Sequence, residues 1–388
     1  MKDGIDMFKN LSRREKCQHF LVWGAIALFL VFLIFFNQSI EKNQLIEENG
    51  NQFEKAEVVE ILSENRNEDG SQQGTQTVKV KLKSGEFKGK VVEATNIDSY
   101  LYGADCKVGT SVIVQVSEYD GQISASIYNY NRTMILFAMV GIFLLSLVLI
   151  GRRKGVTSAL GLIFTFICIL YLYLPMLYLG ASPFLSAVLV TILTTLVTMY
   201  FIGGFSKKTL CSIIGTVGGV VIAGCFANLF GKIGHITGYN VSDIETLLYI
   251  GQNSKLQIGG LLFSGILIAS LGAVMDVAMS IATTIEELQF HNPDLTRRQL
   301  FKSGIKIGGD MMGTMSNTLI LAFTGGSLST LMIFYAYDMP FLQMINSYEM
   351  GIEIMQGISG SLGVILTVPL VSAVAAVYMG KEPVKKTL

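Results

Sequence analysis

Eight stretches of this chain are too long and too apolar to pack inside a water-soluble domain, so they determine the solvent before they determine the fold. They run approximately Phe20 to Phe36, Thr133 to Ile150, Val156 to Leu174, Pro183 to Ile202, Leu210 to Phe230, Ile258 to Ala278, Asp310 to Phe334 and Gln356 to Met379. Each is close to the roughly 20 residues that a helix needs to cross about 30 Å of hydrocarbon, the first being at the short limit. The composition agrees: 51% hydrophobic, 15% charged, mean hydropathy +0.51. The expected class is an α-helical integral membrane protein of about eight transmembrane helices.

Lys and Arg placement orients these spans, because short cytoplasmic loops carry the basic excess. With the N-terminus inside, Arg13, Arg14, Lys16, Arg152, Arg153, Lys154, Lys207, Lys208, Arg297, Arg298, Lys302, Lys306, Lys381, Lys385 and Lys386 are all cytoplasmic, and the short outer loops keep Lys232 and Lys255. Both termini are expected in the cytoplasm, with residues 38–131 outside it. The first span is preceded by basic residues like a secretory signal. It continues into Asn37, Gln38, Ser39 and Ile40 with no small-residue cleavage pattern, and it reads as an uncleaved anchor.

The expected organisation is a tail and first anchor over 1–37, an extracytoplasmic β domain over 38–131, a seven-helix membrane domain over 132–380 and a cytoplasmic tail over 381–388. Within the β domain, residues 56–62, 75–82, 86–95, 110–117 and 123–130 alternate apolar and polar positions, with Gly70, Gly74, Gly85, Gly109 and Gly121 between them. Five strands in that pattern suggest a small inserted all-β domain, an OB-like barrel, with a sandwich as the alternative. It either binds something in its mouth or serves as a spacer. Of the five cysteines only Cys106 lies there, so no internal disulfide is expected.

The eight spans hold two charged residues, Asp276 and Asp310, and no Lys or Arg. A carboxylate in a bilayer costs several kcal/mol unless it faces a polar interior or the membrane edge. At 100° per residue Asp276, Ser280, Thr283 and Glu287 fall within roughly 60° of one another. Asp310, Thr314 and Asn317 form a second polar face, with Gly309 and Gly313 beside it. Counted from Ile258, Asp276 is expected near the cytoplasmic boundary, at about the depth of Asp310 on the antiparallel neighbour. The two stripes would then turn toward each other or toward a shared cavity; the alternative is that both aspartates cap helix ends at the interface, which suits Asp310 at a helix start better than Asp276.

Between these spans Asn292, Pro293 and Asp294 read as helix-start signals, and a short basic amphipathic helix is expected over 293–306. It would lie on the inner membrane surface or dock a cytoplasmic partner. Gly215 with Gly219, Gly260 with Ser264, Gly309 with Gly313, and Gly357 with Ser361 are spaced for close helix packing. Thr191, Thr194, Thr195 and Thr198 either line a path or bond back to their own helix.

Gly272 to Leu288, followed by the run from Gly309-Asp310-Met311-Met312-Gly313-Thr314 to Gly326, resembles the signature region of the YibE/F family of bacterial multi-pass membrane proteins. The resemblance spans about residues 133 to 379, and the N-terminal anchor with its outer domain is similar to the YibE-type members. It implies a location and a topology, and no substrate.

Two functional classes stay open. One is a permease or transport component, its polar site formed by Asp276, Ser280, Thr283, Glu287, Asp310, Thr314 and Asn317, working alone or with a second membrane subunit of the same family. The other is a non-transport scaffold or sensor whose outer β domain binds an envelope component. An aspartyl intramembrane protease is disfavoured, because Ile307 stands where a GxGD motif needs its first Gly and Tyr337-Asp338 falls at the opposite face. No metal or cofactor is expected: His19, His235 and His291 are isolated, there is no HExxH, and GxxxxGK[ST] is absent. A formal net charge of zero gives no reason to expect nucleic acid, and the partner the composition does imply is the lipid bilayer.

Overall fold

The computed structural model describes residues 13–40, 51–66, 74–99, 103–119, 122–241 and 243–381. The tail expected over 381–388 lies outside them except for Lys381. The chain divides into two compact units, residues 42–146 and residues 1–41 with 147–388.

The first unit holds a closed five-stranded barrel: β1 (Asn51–Arg66), β2 (Gly74–Leu82), β3 (Val91–Asp98), β4 (Ser111–Tyr119) and β5 (Gln122–Tyr130). The order β1-β2-β3-β5-β4 closes because long β1 pairs antiparallel with β2 along one stretch and with β4 along the other, its ladder to β2 shifting at Val58/Glu60 and Ile61/Ser63. Such bulges bend a strand enough to serve two neighbours. Alternation dictates the interior: Val78, Val80 and Leu82 are buried between Lys79 and Lys81. Residues 86–90, expected within the third strand, are instead a turn, and β3 starts at Val91. Gly85 makes that turn with φ 70°, where a Cβ would collide with the buried Glu54 carboxylate.

The second unit is helical. Its elements, with the helix that enters it, are α1 (Arg13–Gln38), α2 (Thr133–Cys168), a π-helical turn (Ile169–Tyr173), α3 (Leu174–Tyr178), α4 (Pro183–Gly203), α5 (Lys207–Ile233), α6 (Ile244–Asn253), α7 (Leu261–His291), α8 (Arg297–Gly326), α9 (Leu328–Ala336), α10 (Phe341–Ile345) and α11 (Tyr348–Met379). Among the described residues six helical stretches are long and apolar enough to cross a bilayer, and a seventh crossing results if α8 and α9, bent by 62°, count as one. The stretch from Thr133 to Tyr178 has 46 residues, about 69 Å of rise against about 30 Å of hydrocarbon. It is broken at Arg152, with φ 49° and ψ −122°, inside the basic trio that separates the second and third expected spans. The bend is sharp: a Cβ on Gly155 would stand 2.0 Å from the Leu147 carbonyl oxygen, an atom eight residues away. The fold is thus a helical membrane protein with a small β domain, as the sequence pattern implies.

Helices α5, α7, α8 and α11 form the centre. Glycines let them approach: a Cβ on Gly215 would stand 1.9 Å from Val371 Cγ2, and one on Gly219 1.8 Å from Thr367 Oγ1. Around the centre, α1 stacks Trp23 on Phe201 with ring centroids 5.2 Å apart, and Asn37 Nδ2 donates to the Tyr171 carbonyl at 2.7 Å.

Two local expectations need correction. The segment 293–306 is not a separate surface helix. Thr296 caps the helix, its Oγ1 accepting from Gln299 N while Gln299 Oε1 accepts from Thr296 N at 2.9 Å, and α8 then runs unbroken past Asp310 to Gly326. Leu300 is fully buried, which roots this helix in the bundle. The close-packing pair on α8 is also a different one from that expected. A Cβ added to Gly309 or Gly313 would meet nothing within 4 Å, whereas one on Gly304 or Gly308 would stand 2.4 Å from Ser372 or 2.2 Å from Val368.

Candidate functional site

Asp276 is the sixteenth residue of a 31-residue helix. The end of α7 beyond it is tied to the start of α5 by an ion pair, Lys208 Nζ to Glu286 Oε2 at 2.8 Å. Asp276 lies ten residues before Glu286 on α7, about 15 Å of rise. Asp310 lies 13 residues into α8 from Arg297, about 20 Å. Both carboxylates stand well inside their helices, because α7 and α8 continue past the apolar span limits. Asp310 is also not at a helix start, which removes the helix-dipole explanation for it.

The α7–α8 contact itself is apolar. Gly308 rests against Ile281 and Val368, and Gly304 against Ile285 and Ser372. At 100° per residue, Ile281 and Ile285 lie roughly 140–180° around α7 from Asp276, and Gly304 and Gly308 roughly 120–160° around α8 from Asp310. The polar stripes accordingly stand on the outward sides of their helices. On α7 the outward face runs Gly265, Ala269, Gly272, Asp276 and Glu287, all exposed, with Ser280 and Thr283 half-buried. On α8 it runs Asp310, Gly313, Thr314, Asn317, Thr318 and Thr324, all exposed. Among the described residues no hydrogen bond or ion pair joins any two of the seven expected site residues. Thr314 Oγ1 bonds back to Met311 O at 2.9 Å, and Glu287 Oε2 lies 3.9 Å from His291 Nε2.

Of the threonines on α4, Thr194 Oγ1 donates to Val190 O at 2.8 Å, the bond-back geometry. The Thr191, Thr195 and Thr198 hydroxyls are buried with no partner among the described residues.

Sequence reading missed a cavity of about 760 Å³ at the opposite end of the bundle from the Lys208–Glu286 pair. It is bounded by the ends of α8 and α9, the first turns of α11 and the chain around Tyr239. Glu353 Oε2 is buried there without a hydrogen-bond partner among the described residues. The legible signal was the i, i+4 pair Glu349 and Glu353 opening a span in a loop without Lys or Arg. On the barrel, Phe53 and Tyr128 form an exposed edge-to-face pair with centroids 5.2 Å apart.

The YibE/F-like protein family matches residues 139–381, and the YibE/F family N-terminal domain matches residues 51–130. No curated protein and no solved structure matches the chain.

Proposed function

This chain belongs to the YibE/F-like protein family, and from that membership and its outward polar membrane faces we propose that it is a transport component whose site is completed by a second membrane subunit. Asp276, Ser280, Thr283 and Glu287 on α7 and Asp310, Thr314 and Asn317 on α8 contribute this chain's half of the polar path. The observation that carries the reading is the pair of neighbouring helices that present carboxylates, hydroxyls and bare glycines away from their own bundle. Acyl chains cannot solvate a carboxylate, so these faces need another polypeptide, water or both. Open glycines suit a close-approaching helix. A protonatable aspartate in such a place serves as a relay for a proton or a cation. The basic loops at Arg152, Lys207 and Arg297 support cytoplasmic termini and an extracytoplasmic barrel.

The test is reconstitution in liposomes, comparing proton-linked and cation-linked flux of the native chain and Asp276→Asn. Loss of flux in a folded variant supports the reading, and equal flux removes Asp276 from it. The exposed Phe53–Tyr128 pair favours a second reading, a scaffold or sensor whose barrel binds an envelope component. Deleting residues 38–130 separates the two: a scaffold loses all activity, whereas a transport component keeps residual flux.

A further inference from the structure

We propose that the cavity between α8, α9 and the start of α11 binds an organic cation, with Glu353 as its charge partner and aromatic rings as its walls. This does not depend on the transport reading, since a sensor could equally use such a site.

The volume comes first. About 760 Å³ falls in the range of roughly 300 to 1,000 Å³ typical of small-molecule sites. It is far larger than a dehydrated metal ion requires. Among the described residues, moreover, no group of three or more His, Cys, Asp or Glu is arranged to hold a metal.

Charge comes second. Glu349 and Glu353 both line the space, and no Lys, Arg or His among the described residues does. Glu349 has an ordinary explanation, because it sits in the first turn of α11, where the helix dipole favours an anion. Glu353 is one turn further in. Its Oε2 is buried and has no hydrogen-bond donor among the described residues. A buried carboxylate oxygen without a donor is expensive, and a bound cation supplies what it lacks.

The walls come third. Tyr239, Phe323, Phe334 and Tyr348 line the same space, and ring faces attract a desolvated ammonium or phosphonium centre. Carboxylate, rings and aliphatic surface together describe a lipophilic cation more closely than a sugar, a nucleotide or an anion.

The test is equilibrium binding of tetraphenylphosphonium to the full-length protein in lipid nanodiscs, with tetraphenylborate, of the same shape and opposite charge, as the comparison. Saturable binding of the cation, absent for the borate and for empty nanodiscs, is expected. Glu353→Gln should weaken binding at least tenfold, Glu353→Asp should keep most of it, and Leu331→Trp, which fills the cavity, should abolish it. Non-saturable uptake equal to empty nanodiscs, equal binding of the borate, or unchanged affinity in folded Glu353→Gln would each overturn the proposal. If Glu353→Gln does not fold, the cation–borate comparison on the native chain decides.

Discussion

Lys208 Nζ lies 2.8 Å from Glu286 Oε2, so the first turn of α5 is fastened to the last turns of α7. Both side chains are partly buried, at 24% and 32% exposure, which lifts the pair above the typical surface salt bridge. Charge reversal at either position should destabilise the bundle by about 1 to 3 kcal/mol, the scale of a hydrogen bond between charged groups. The double exchange Lys208→Glu with Glu286→Lys should recover most of it. Unfolding in mixed micelles gives the double-mutant cycle, and no recovery in the double exchange would show that the two side chains do not act on each other.

The glycines of α8 should divide by what surrounds them. A Cβ on Gly308 would stand 2.2 Å from Val368 Cγ1 and 2.9 Å from Ile281 Cδ1, whereas one on Gly313 would have nothing within 4 Å. Gly308→Val should therefore lower stability by about 1 to 3 kcal/mol through overpacking. Gly313→Ala should be neutral or stabilise the monomer by up to about 1 kcal/mol, the helix-propensity difference. Gly313→Leu should leave the monomer folded while weakening assembly, seen as a shift to smaller species in native electrophoresis. Unchanged assembly in Gly313→Leu would argue that lipid covers this face.

Inside the barrel, Asn96 Nδ2 donates to Gln76 Oε1 at 2.9 Å and to Ala104 O at 2.6 Å, and Cys106 N donates to Gln76 Oε1 at 3.2 Å. Two buried amides thus anchor the 103–110 loop to β2 and β3. Asn96→Leu should leave the buried Ala104 N–H and carbonyl without their Asn96 partner and cost about 1 to 3 kcal/mol. Hydrogen exchange in the full chain should show the amides of Ala104 and Cys106 losing protection before those of β1. Protection lost uniformly across the barrel would contradict this local role.

The loop before α8 should respond to acid. The Lys381 ammonium, 2.8 Å from Asp294 Oδ1, holds that carboxyl below its ordinary value. A lowered folded-state pKa contributes stability above the unfolded value, and that contribution is lost as pH falls through the lowered value. The hydrogen bonds from Arg297 N to Lys381 O and from Lys381 N to Leu295 O should then exchange faster as pH drops below the usual carboxylate range. In Asp294→Asn the step should disappear; the same acid response in that variant would assign it to another group.

The barrel was legible because one rule, alternation, governs every strand: Val78, Val80 and Leu82 point in and Lys81 points out. The same register carries Gln76 inward, which its polarity conceals, since its partners Glu64, Asn96 and Cys106 come from three other segments of the chain. Helix existence was legible from apolar length, but continuity was not. Asn292 and Pro293 look like a helix start, yet the Thr296 and Gln299 capping box competes and wins. Gly308, Gly309 and Gly313 are alike as letters; which of them touches α11 depends on the rotation of α8, which no local pattern states. The polar stripes on α7 and α8 were visible by periodicity. Their outward direction was not, because periodicity finds a face without saying what lies opposite. The cavity at Glu353 joins four separate segments, and no single segment announces it.

In the proposed transport component the α8 polar face meets water or another subunit within the membrane, and cysteine accessibility at Asn317 measures this. In inside-out vesicles, with Cys17 and Cys225 replaced by Ser, Asn317→Cys should react with a membrane-impermeant thiol reagent, while Leu189→Cys on the exposed apolar side of α4 should not. If Asn317→Cys is as inert as Leu189→Cys to the water-soluble reagent, and a fluorophore attached at either cysteine by a membrane-permeant thiol reagent is equally quenched by lipid-borne spin labels, the α8 face lies against lipid and the proposed polar path is contradicted.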